Sequence, residues 1–342
     1  MIDLTTPKIA FMNHVLREAA HLAVAIQEAS AARNLTKEDR SPVTVADFTI
    51  QAVVAYRLRA TFPGAVLVAE ERAERLREEE QAEMLETIAA FTARFIPGAT
   101  GEAVCDWIDE GAGEPGDRFW TLDPIDGTKG YRRGGHYATA LALIEDGEVT
   151  CGGMSCPVMA QDCDTERQGG GILALAKRGG GAWYAPLDKP GAGLQPLSVS
   201  SCTDTARARL MRSYESGHTN VEELEAVAAR LGIPPDQCVR MDSQAKYACM
   251  AAGKAELLFR LLSPARLDYR ECIWDQAAGS LIIEAAGGMV TDLNGNPLDF
   301  SCGRKLTNNI GVFASNGYLH EAGLAALEQV LSTQGSRVNE LR

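Results

Sequence analysis

The apolar segment ending in Trp120-Thr121-Leu122 stops abruptly at Asp123-Pro124-Ile125-Asp126-Gly127-Thr128-Lys129-Gly130, so two carboxylates sit three residues apart where a strand meets a Pro/Gly turn. Pro124 fixes φ at one step and Gly127 permits a sharp bend at another. Such a turn can aim both Asp side chains, and the Ile125 carbonyl between them, at one point. That is an all-oxygen ligand set for a hard cation such as Mg²⁺. Thr128 adds a hydroxyl and a backbone N–H suited to water or phosphate. Taken alone, the same residues also read as an Asx-rich turn closing a strand.

The chain has 342 residues, enough for one large domain or two ordinary ones and for a sizeable core. Hydrophobic residues make up 46% and charged residues 23%, as in soluble globular proteins. The formal net charge of -13 argues against a nucleic-acid coat or a membrane-surface protein. It also opposes an anionic substrate at long range, but salt screens that repulsion beyond about 8 Å, so local cations can prevail. Nine scattered cysteines without a C-x-x-C pair point to a reducing compartment rather than a zinc site. No signal peptide and no 18-residue apolar run is visible, and a cytoplasmic location is the expectation.

Helical spacing of Ile9, Met12, Leu16, Ala19, Ala20, Ala23 and Ile26 predicts a long helix over 8–32. A second helix is expected over Val43–Arg59 with Asp47 in its first turn, followed by a short strand at Ala65–Ala69 with Glu70-Glu71 at its exit. Residues 72–95 read as one charged amphipathic helix, and 97–118 as a Gly-rich connection. Strands are expected at Arg118–Leu122, Tyr137–Ile144, Glu148–Cys156, Gly171–Ala176 and Gly181–Tyr184, with Asp146-Gly147 as a hairpin turn. Past Pro196 the pattern alternates: strands at Leu210–Tyr214 and Ala255–Leu261, helices at Val221–Leu231, Gln244–Ala252 and Cys272–Ala286. The order is α+β followed by α/β. A boundary near residue 200 separates a domain of residues 1–200 from one of residues 201–342.

Two further acid groups stand out. Glu70-Glu71 ends a strand, and Asp275 lies in Ile273-Trp274-Asp275-Gln276-Ala277-Ala278-Gly279, where small apolar neighbours imply a buried helix start. An uncompensated acid is expensive there. If Glu70, Asp123, Asp126 and Asp275 converge, two carboxylates about 4 Å apart repel by roughly 4 kcal/mol at an effective dielectric near 20. Two or three Mg²⁺ ions would remove that repulsion, and paired metals suit phosphate-ester hydrolysis.

Asp123-Pro124-Ile125-Asp126-Gly127-Thr128 together with Trp274-Asp275-Gln276-Ala277-Ala278-Gly279 resembles the two signatures of the lithium-sensitive, Mg²⁺-dependent phosphatase superfamily. That group includes inositol monophosphatase and fructose-1,6-bisphosphatase, and the resemblance implies their layered αβαβα sandwich. It extends through Ser41-Pro42-Val43-Thr44-Val45-Ala46-Asp47 and Ala69-Glu70-Glu71. Lys129-Gly130-Tyr131-Arg132-Arg133-Gly134-Gly135, Glu215-Ser216-Gly217-His218 and Asp242-Ser243-Gln244-Ala245-Lys246-Tyr247 are similar to the bisphosphate nucleotidase branch in particular.

The resemblance implies a role for each matching residue. Glu70, Asp123, Asp126, Asp275 and the Ile125 carbonyl ligate the metal. Asp47 pairs with the Thr128 hydroxyl to orient and deprotonate the attacking water, and the Gly127 and Thr128 amides meet the phosphate. Ser216, His218, Asp242, Ser243, Lys246 and Arg260 lie at the nucleotide end, where Lys and Arg suit a second phosphate. Departures are Ala69 for the usual Gly and Gln276 for a common His. The implied reaction is hydrolysis of the 3'-phosphate of adenosine 3',5'-bisphosphate, with 3'-phosphoadenosine 5'-phosphosulfate a further substrate, inhibition by Li⁺, and a place in nucleotide metabolism and sulfur assimilation. A small-molecule nucleotide is the expected partner of a monomer or weak homo-oligomer, with no nucleic acid and no membrane. The alternatives are an inositol phosphate phosphatase and a catalytically inactive nucleotide sensor. Intact acids at 47, 70, 123, 126 and 275 oppose the latter.

Overall fold

The structure, a computed structural model, describes residues 2–32, 42–163, 168–189, 191–214 and 220–340. Two helices open the chain, α1 (Pro7–Ala32) and α2 (Pro42–Thr61), followed by β1 (Leu67–Ala69), α3 (Ala82–Thr92) and α4 (Gly101–Asp109). Then come β2 (Arg118–Asp126), α5 (Thr128–Arg132), β3 (Ala138–Glu145), β4 (Glu148–Cys156), β5 (Ile172–Lys177), β6 (Gly181–Pro186) and β7 (Gln195–Pro196). The remainder comprises β8 (Leu210–Arg212), α6 (Val221–Leu231), β9 (Cys238–Arg240), α7 (Ala245–Ala251), β10 (Leu257–Arg260), α8 (Ala277–Ala285), β11 (Met289–Thr291), β12 (Val312–Ser315) and α9 (His320–Glu340). Strands β1 to β7 form one sheet in sequence order, and a second sheet runs β11-β12-β10-β8-β9.

Alternation along the strands builds the layers. On β3, Leu141 and Leu143 face the core shared with α1 and α2, whereas Ala140, Ala142 and Ile144 face the core shared with α7 and α8. Strand β5 repeats this with Leu173 and Leu175 on one side and Ile172, Ala174 and Ala176 on the other. Small residues on the second face let α8 lie close: a Cβ on Gly152 would stand 3.2 Å from the Ala278 backbone. A third core joins the five-stranded sheet to α6 and α9 through Leu210, Phe259, Phe313, Leu224 and Leu327. The stack is helices, sheet, helices, sheet, helices, the expected αβαβα sandwich. Asp146 and Gly147 both have positive φ, as the hairpin turn between β3 and β4 requires. All nine cysteines are free.

Four expectations need correction. Residues 72–95 are not one helix: 3₁₀ turns at Glu74–Arg77 and Glu79–Gln81 precede α3. Asp109 takes the Ala73 amide at 2.9 Å and pairs with Arg77, tethers that favour short turns over a continued helix. The presumed connection over 97–118 contains α4, capped by the Thr100 hydroxyl on the Ala103 amide at 3.2 Å. Residues 272–286 split into a 3₁₀ turn at Ile273–Asp275 and α8, because Gln276 leaves helical geometry at φ -125°. Finally, α2 begins at Pro42, which puts Asp47 in its second turn rather than its first. Strands β7, β9, β11 and β12 span two to four residues, too few to show a period, and they, α5 and α9 escaped the sequence reading.

Candidate metal centre

Side chains alternate along a strand, so Asp123 and Asp126, three residues apart, would ordinarily point to opposite faces of β2. The register with β3 resolves this. Asp123 pairs with Ala140 and Asp126 with Ala138, so β2 carries one residue more than its partner between them. Such a bulge re-aims the following side chain. It falls at Pro124, which has no N–H to give the ladder and whose carbonyl instead accepts the Thr139 hydroxyl at 2.8 Å. Ligand oxygens of Asp123, Asp126 and Asp275 consequently lie within 4.8 Å of one another.

Gly127 follows with φ +88°, and a Cβ there would stand 2.6 Å from the Ser243 Cβ. Glycine is required on both counts. Helix α5 is tied to α1 by the Tyr131 hydroxyl on the Ala23 carbonyl at 2.7 Å and by the Gln27 amide on the Tyr131 carbonyl at 2.6 Å. Thr128, at the start of α5, is exposed.

Glu70 stands exposed at the exit of β1, within electrostatic reach of Asp123 and Asp126. Desolvation, then Glu71 and Asp126, push Glu70 up to about 7. Burial, then Glu70, Asp126, Asp275 and Asp47, raise Asp123 well above the usual carboxylate range. Burial, then Glu271, raise Asp275 likewise, with Arg260 opposing. Asp126 rises through burial, restrained by Lys246 and by the Gln244 amide. Asp47 is buried and rises through desolvation, then Glu71 and Glu70, with the Ile125 backbone opposing. No hydrogen bond joins Asp47 to Thr128 among the described residues, so the expected pair is not closed.

The C-terminal half supplies the other wall. Lys246 on α7 is buried, donates to the Ser213 hydroxyl at 2.7 Å, and is brought down to about 8 by burial and Arg260, with Asp126 opposing. Ser243 has φ +67° beside Gly127. Asp242 accepts from Arg133 and from the Tyr214 amide, and lines a cleft of about 510 Å³ with Arg133, His136, Tyr214 and Arg240. Arg260 is not a surface cation: its guanidinium forks onto buried Glu271 at 3.1 and 2.7 Å. Ser216 and His218 lie outside the described residues.

Sequence reasoning passed over several neutral and basic side chains that assemble this pocket. The Gln51 amide donates to the Glu71 and Ile108 carbonyls at 2.9 and 2.8 Å, and its oxygen accepts the Glu71 amide at 3.0 Å, fixing the β1 exit. Its only signal was a polar residue four places after Asp47 on an otherwise apolar helix. Gln244 gives its backbone N–H to Asp126 and its side-chain amide to Asp123 at 3.3 Å and the Trp274 carbonyl at 3.2 Å, joining the β2 acids to the Asp275 segment. Arg304 reaches the Ala69 and Gly113 carbonyls and lies 5.0 Å over the Trp274 ring, stapling the Glu70 and Asp275 segments together.

The donor set is hard and anionic, and the buried Asp123 Oδ1 has no hydrogen-bond partner. An orphaned buried carboxylate oxygen among other carboxylates fits a divalent cation bound by oxygen. The chain matches the inositol monophosphatase family over residues 8–332. It is 39% identical over 341 residues to a 3'(2'),5'-bisphosphate nucleotidase of Emericella nidulans, covering 92% of this chain and 96% of that one. Identity to the protein of the same name in Schizosaccharomyces pombe is 40% over 320 residues, covering 90% and 89%. Among solved structures, the Thermotoga maritima IMPase superposes with a TM-score of 0.61 at 20% identity, covering 95% of this chain and 98% of that one. The Mycobacterium tuberculosis SuhB does so with 0.60 at 19%, covering 94% and 95%. With its acids gathered in that sandwich, the chain belongs to the inositol monophosphatase family.

Proposed function

We propose that this protein is a Mg²⁺-dependent 3'(2'),5'-bisphosphate nucleotidase that releases the 3'-phosphate of adenosine 3',5'-bisphosphate and leaves AMP. The observation that carries the reading is the convergence of Asp123, Asp126 and Asp275 with Glu70 on their rim, beside the buried cation of Lys246. It stands in a chain similar over most of its length to proteins of that name.

Glu70, Asp123, Asp126, Asp275 and the Ile125 carbonyl would hold two or three Mg²⁺ ions, with hard oxygen donors and no sulfur. When bound, Mg²⁺ supplies positive charge to the phosphate oxygens and acidifies water. Asp47 and Thr128 orient the attacking water and accept its proton. A base kept well above its ordinary carboxylate range suits proton transfer near neutral pH. The Gly127 and Thr128 amides meet the phosphate in a turn that glycine alone can make. Ser216, His218, Asp242, Ser243, Lys246 and Arg260 form the nucleotide end. Residues 1–200 carry the metal loop and residues 201–342 complete it. 3'-Phosphoadenosine 5'-phosphosulfate is a further substrate, Li⁺ inhibits, and the protein serves nucleotide turnover in sulfur assimilation as a cytoplasmic monomer or weak homo-oligomer without nucleic acid. No helix among the described residues is long and apolar enough to cross a membrane.

Phosphate release from adenosine 3',5'-bisphosphate, with AMP identified chromatographically, tests the reading. Turnover that requires Mg²⁺ and exceeds that on inositol 1-phosphate supports it. Turnover without divalent metal, or faster release from inositol 1-phosphate, refutes it.

A further inference from the structure

Behind the acids lies a buried chain of polar groups that the reaction does not touch. Glu271 is 5% exposed, Gln276 0% and Tyr247 1%. Glu271 accepts the Gln276 side-chain amide at 2.8 Å, and the Gln276 oxygen accepts the Tyr247 hydroxyl. The same carboxylate takes Arg260 through Nε at 3.1 Å and Nη2 at 2.7 Å. Its backbone is pinned as well, the Leu306 amide donating to the Glu271 carbonyl at 2.9 Å. Tyr247 has little room to move: a Cβ on Gly279 would stand 2.3 Å from its ring.

We propose that Glu271 is a positioning residue that orients Arg260 for the substrate's second phosphate. The inference rests on the nucleotidase reading above. Fork-to-fork contact with a carboxylate fixes the plane of a guanidinium, which a single contact does not. Glu271 occupies the Nε/Nη2 edge, and Nη1, which makes no hydrogen bond among the described residues, is the side we assign to the phosphate oxygens. Arg260 stands within electrostatic reach of both Asp126 and Lys246. Gln276 makes the arrangement one-way. Its oxygen is taken by Tyr247, so only its amide can face Glu271, and a neutral amide leaves the carboxylate's charge to Arg260.

A purely structural Glu271 would compensate a buried charge and nothing more; its loss would lower stability without altering ligand preference. Calorimetric titration of AMP and of adenosine into the Mg²⁺-loaded protein separates the two, since these ligands differ only in the 5'-phosphate. Glu271→Asp keeps the charge but withdraws the carboxylate by about one C–C bond, ~1.5 Å. It folds even where Glu271→Gln, which strands the Arg260 charge, does not. The expected result is that wild type prefers AMP and that Glu271→Asp lowers this preference about tenfold, with adenosine affinity held within about twofold. In an Arg260→Met background the same change has no further effect on preference. An unchanged preference in Glu271→Asp, an equal loss in the Arg260→Met background, or a wild type indifferent to the 5'-phosphate overturns the role. Phosphate release from adenosine 3',5'-bisphosphate distinguishes the two failures: turnover with an unchanged preference removes only Glu271's role, whereas no turnover removes the nucleotidase reading with it.

Discussion

Asp123 and Asp292 are equally hidden, 2% and 0% exposed, yet their surroundings are opposite. Asp292 receives the Asn294 and Asn296 amides at 2.9 Å on one oxygen and the Asn296 and Asn309 side-chain amides at 3.3 and 3.4 Å on the other. Nearby, hydrogen bonds from Ser301, Cys302 and Asn308 hold Asp299 below the usual carboxylate range. Asp123 has one long contact from Gln244, an unpartnered second oxygen, and Glu70, Asp126, Asp275 and Asp47 as neighbours. The chain neutralises its loop acids with its own N–H groups and leaves those at the β2 exit to a cation. Burial alone therefore says little about an acid; the count of donors aimed at it separates a structural carboxylate from a ligand.

The largest effects should come from removing one charge of each kind. Asp123→Asn should lower phosphate release by about 10³-fold or more while leaving the metal-free protein folded. Asp292→Asn should keep turnover per folded molecule within about twofold but cost roughly 1–3 kcal/mol in chemical denaturation, because an amide presents N–H groups to donors. If Asp292→Asn abolishes activity and leaves stability intact, the contrast is wrong.

Ligand linkage should come next. Mg²⁺ at about 100 times its dissociation constant should stabilise wild type by roughly 2.7 kcal/mol, read as a rise in Tm, and Asp123→Asn by much less. An equal rise in both proteins would place the ion elsewhere. Gly127→Ala should cost about 1–3 kcal/mol and disturb turnover besides, since alanine meets both a positive φ and the Ser243 side chain. A variant of normal stability and activity would show that the turn need not be as drawn.

The smallest effect is a pH slope of defined sign. Glu70 titrates near 7 in the folded protein against about 4.3 unfolded, so the folded state holds more protons in between. Stability of the metal-free protein should then fall as pH rises from about 5 to 8, with Asp47, Asp123, Asp126 and Asp275 adding in the same direction. His320, buried between Thr291 and Ser315 and brought down to about 4 by desolvation, acts oppositely: its cost appears as pH falls below about 6.5. Denaturation midpoints of the metal-free protein should fall across this range, least steeply below about pH 6.5 where His320 opposes, and saturating Mg²⁺ should flatten that fall. A metal-free protein more stable at pH 8 than at pH 5 would contradict the sign.

Residues adjacent in sequence were the legible part of this site. Asp123 and Asp126 announce themselves because a strand, a proline and a glycine lie within five residues of each other. The bulge that turns them to one side was not legible, because it exists only relative to β3. Asp47 reads as a first-turn acid of a helix expected from Val43, but with the helix starting at Pro42 it falls in the second turn. Arg304 carries no local signature, Gln51 only its polarity, and Gln244 a place in a matching motif without a role; such side chains acquire their meaning from carbonyls and carboxylates up to 235 positions away. Long helices such as α1 declared their period, whereas strands of two to four residues could not. The break at Gln276 follows from side-chain contacts to Glu271 and Tyr247 that no helical pattern encodes.

The central claim is that acids drawn from three chain segments, at 70, 123–126 and 275, form one site for divalent cations. Calorimetric titration of Mg²⁺ at pH 7, repeated in buffers of different ionisation enthalpy, tests it most directly. The account predicts saturable binding to wild type with release of protons, because Glu70 and its neighbours are partly protonated in the metal-free state, and a loss of that binding in Asp123→Asn. Binding of equal affinity and proton count in Asp123→Asn, or no saturable binding to wild type, would contradict it.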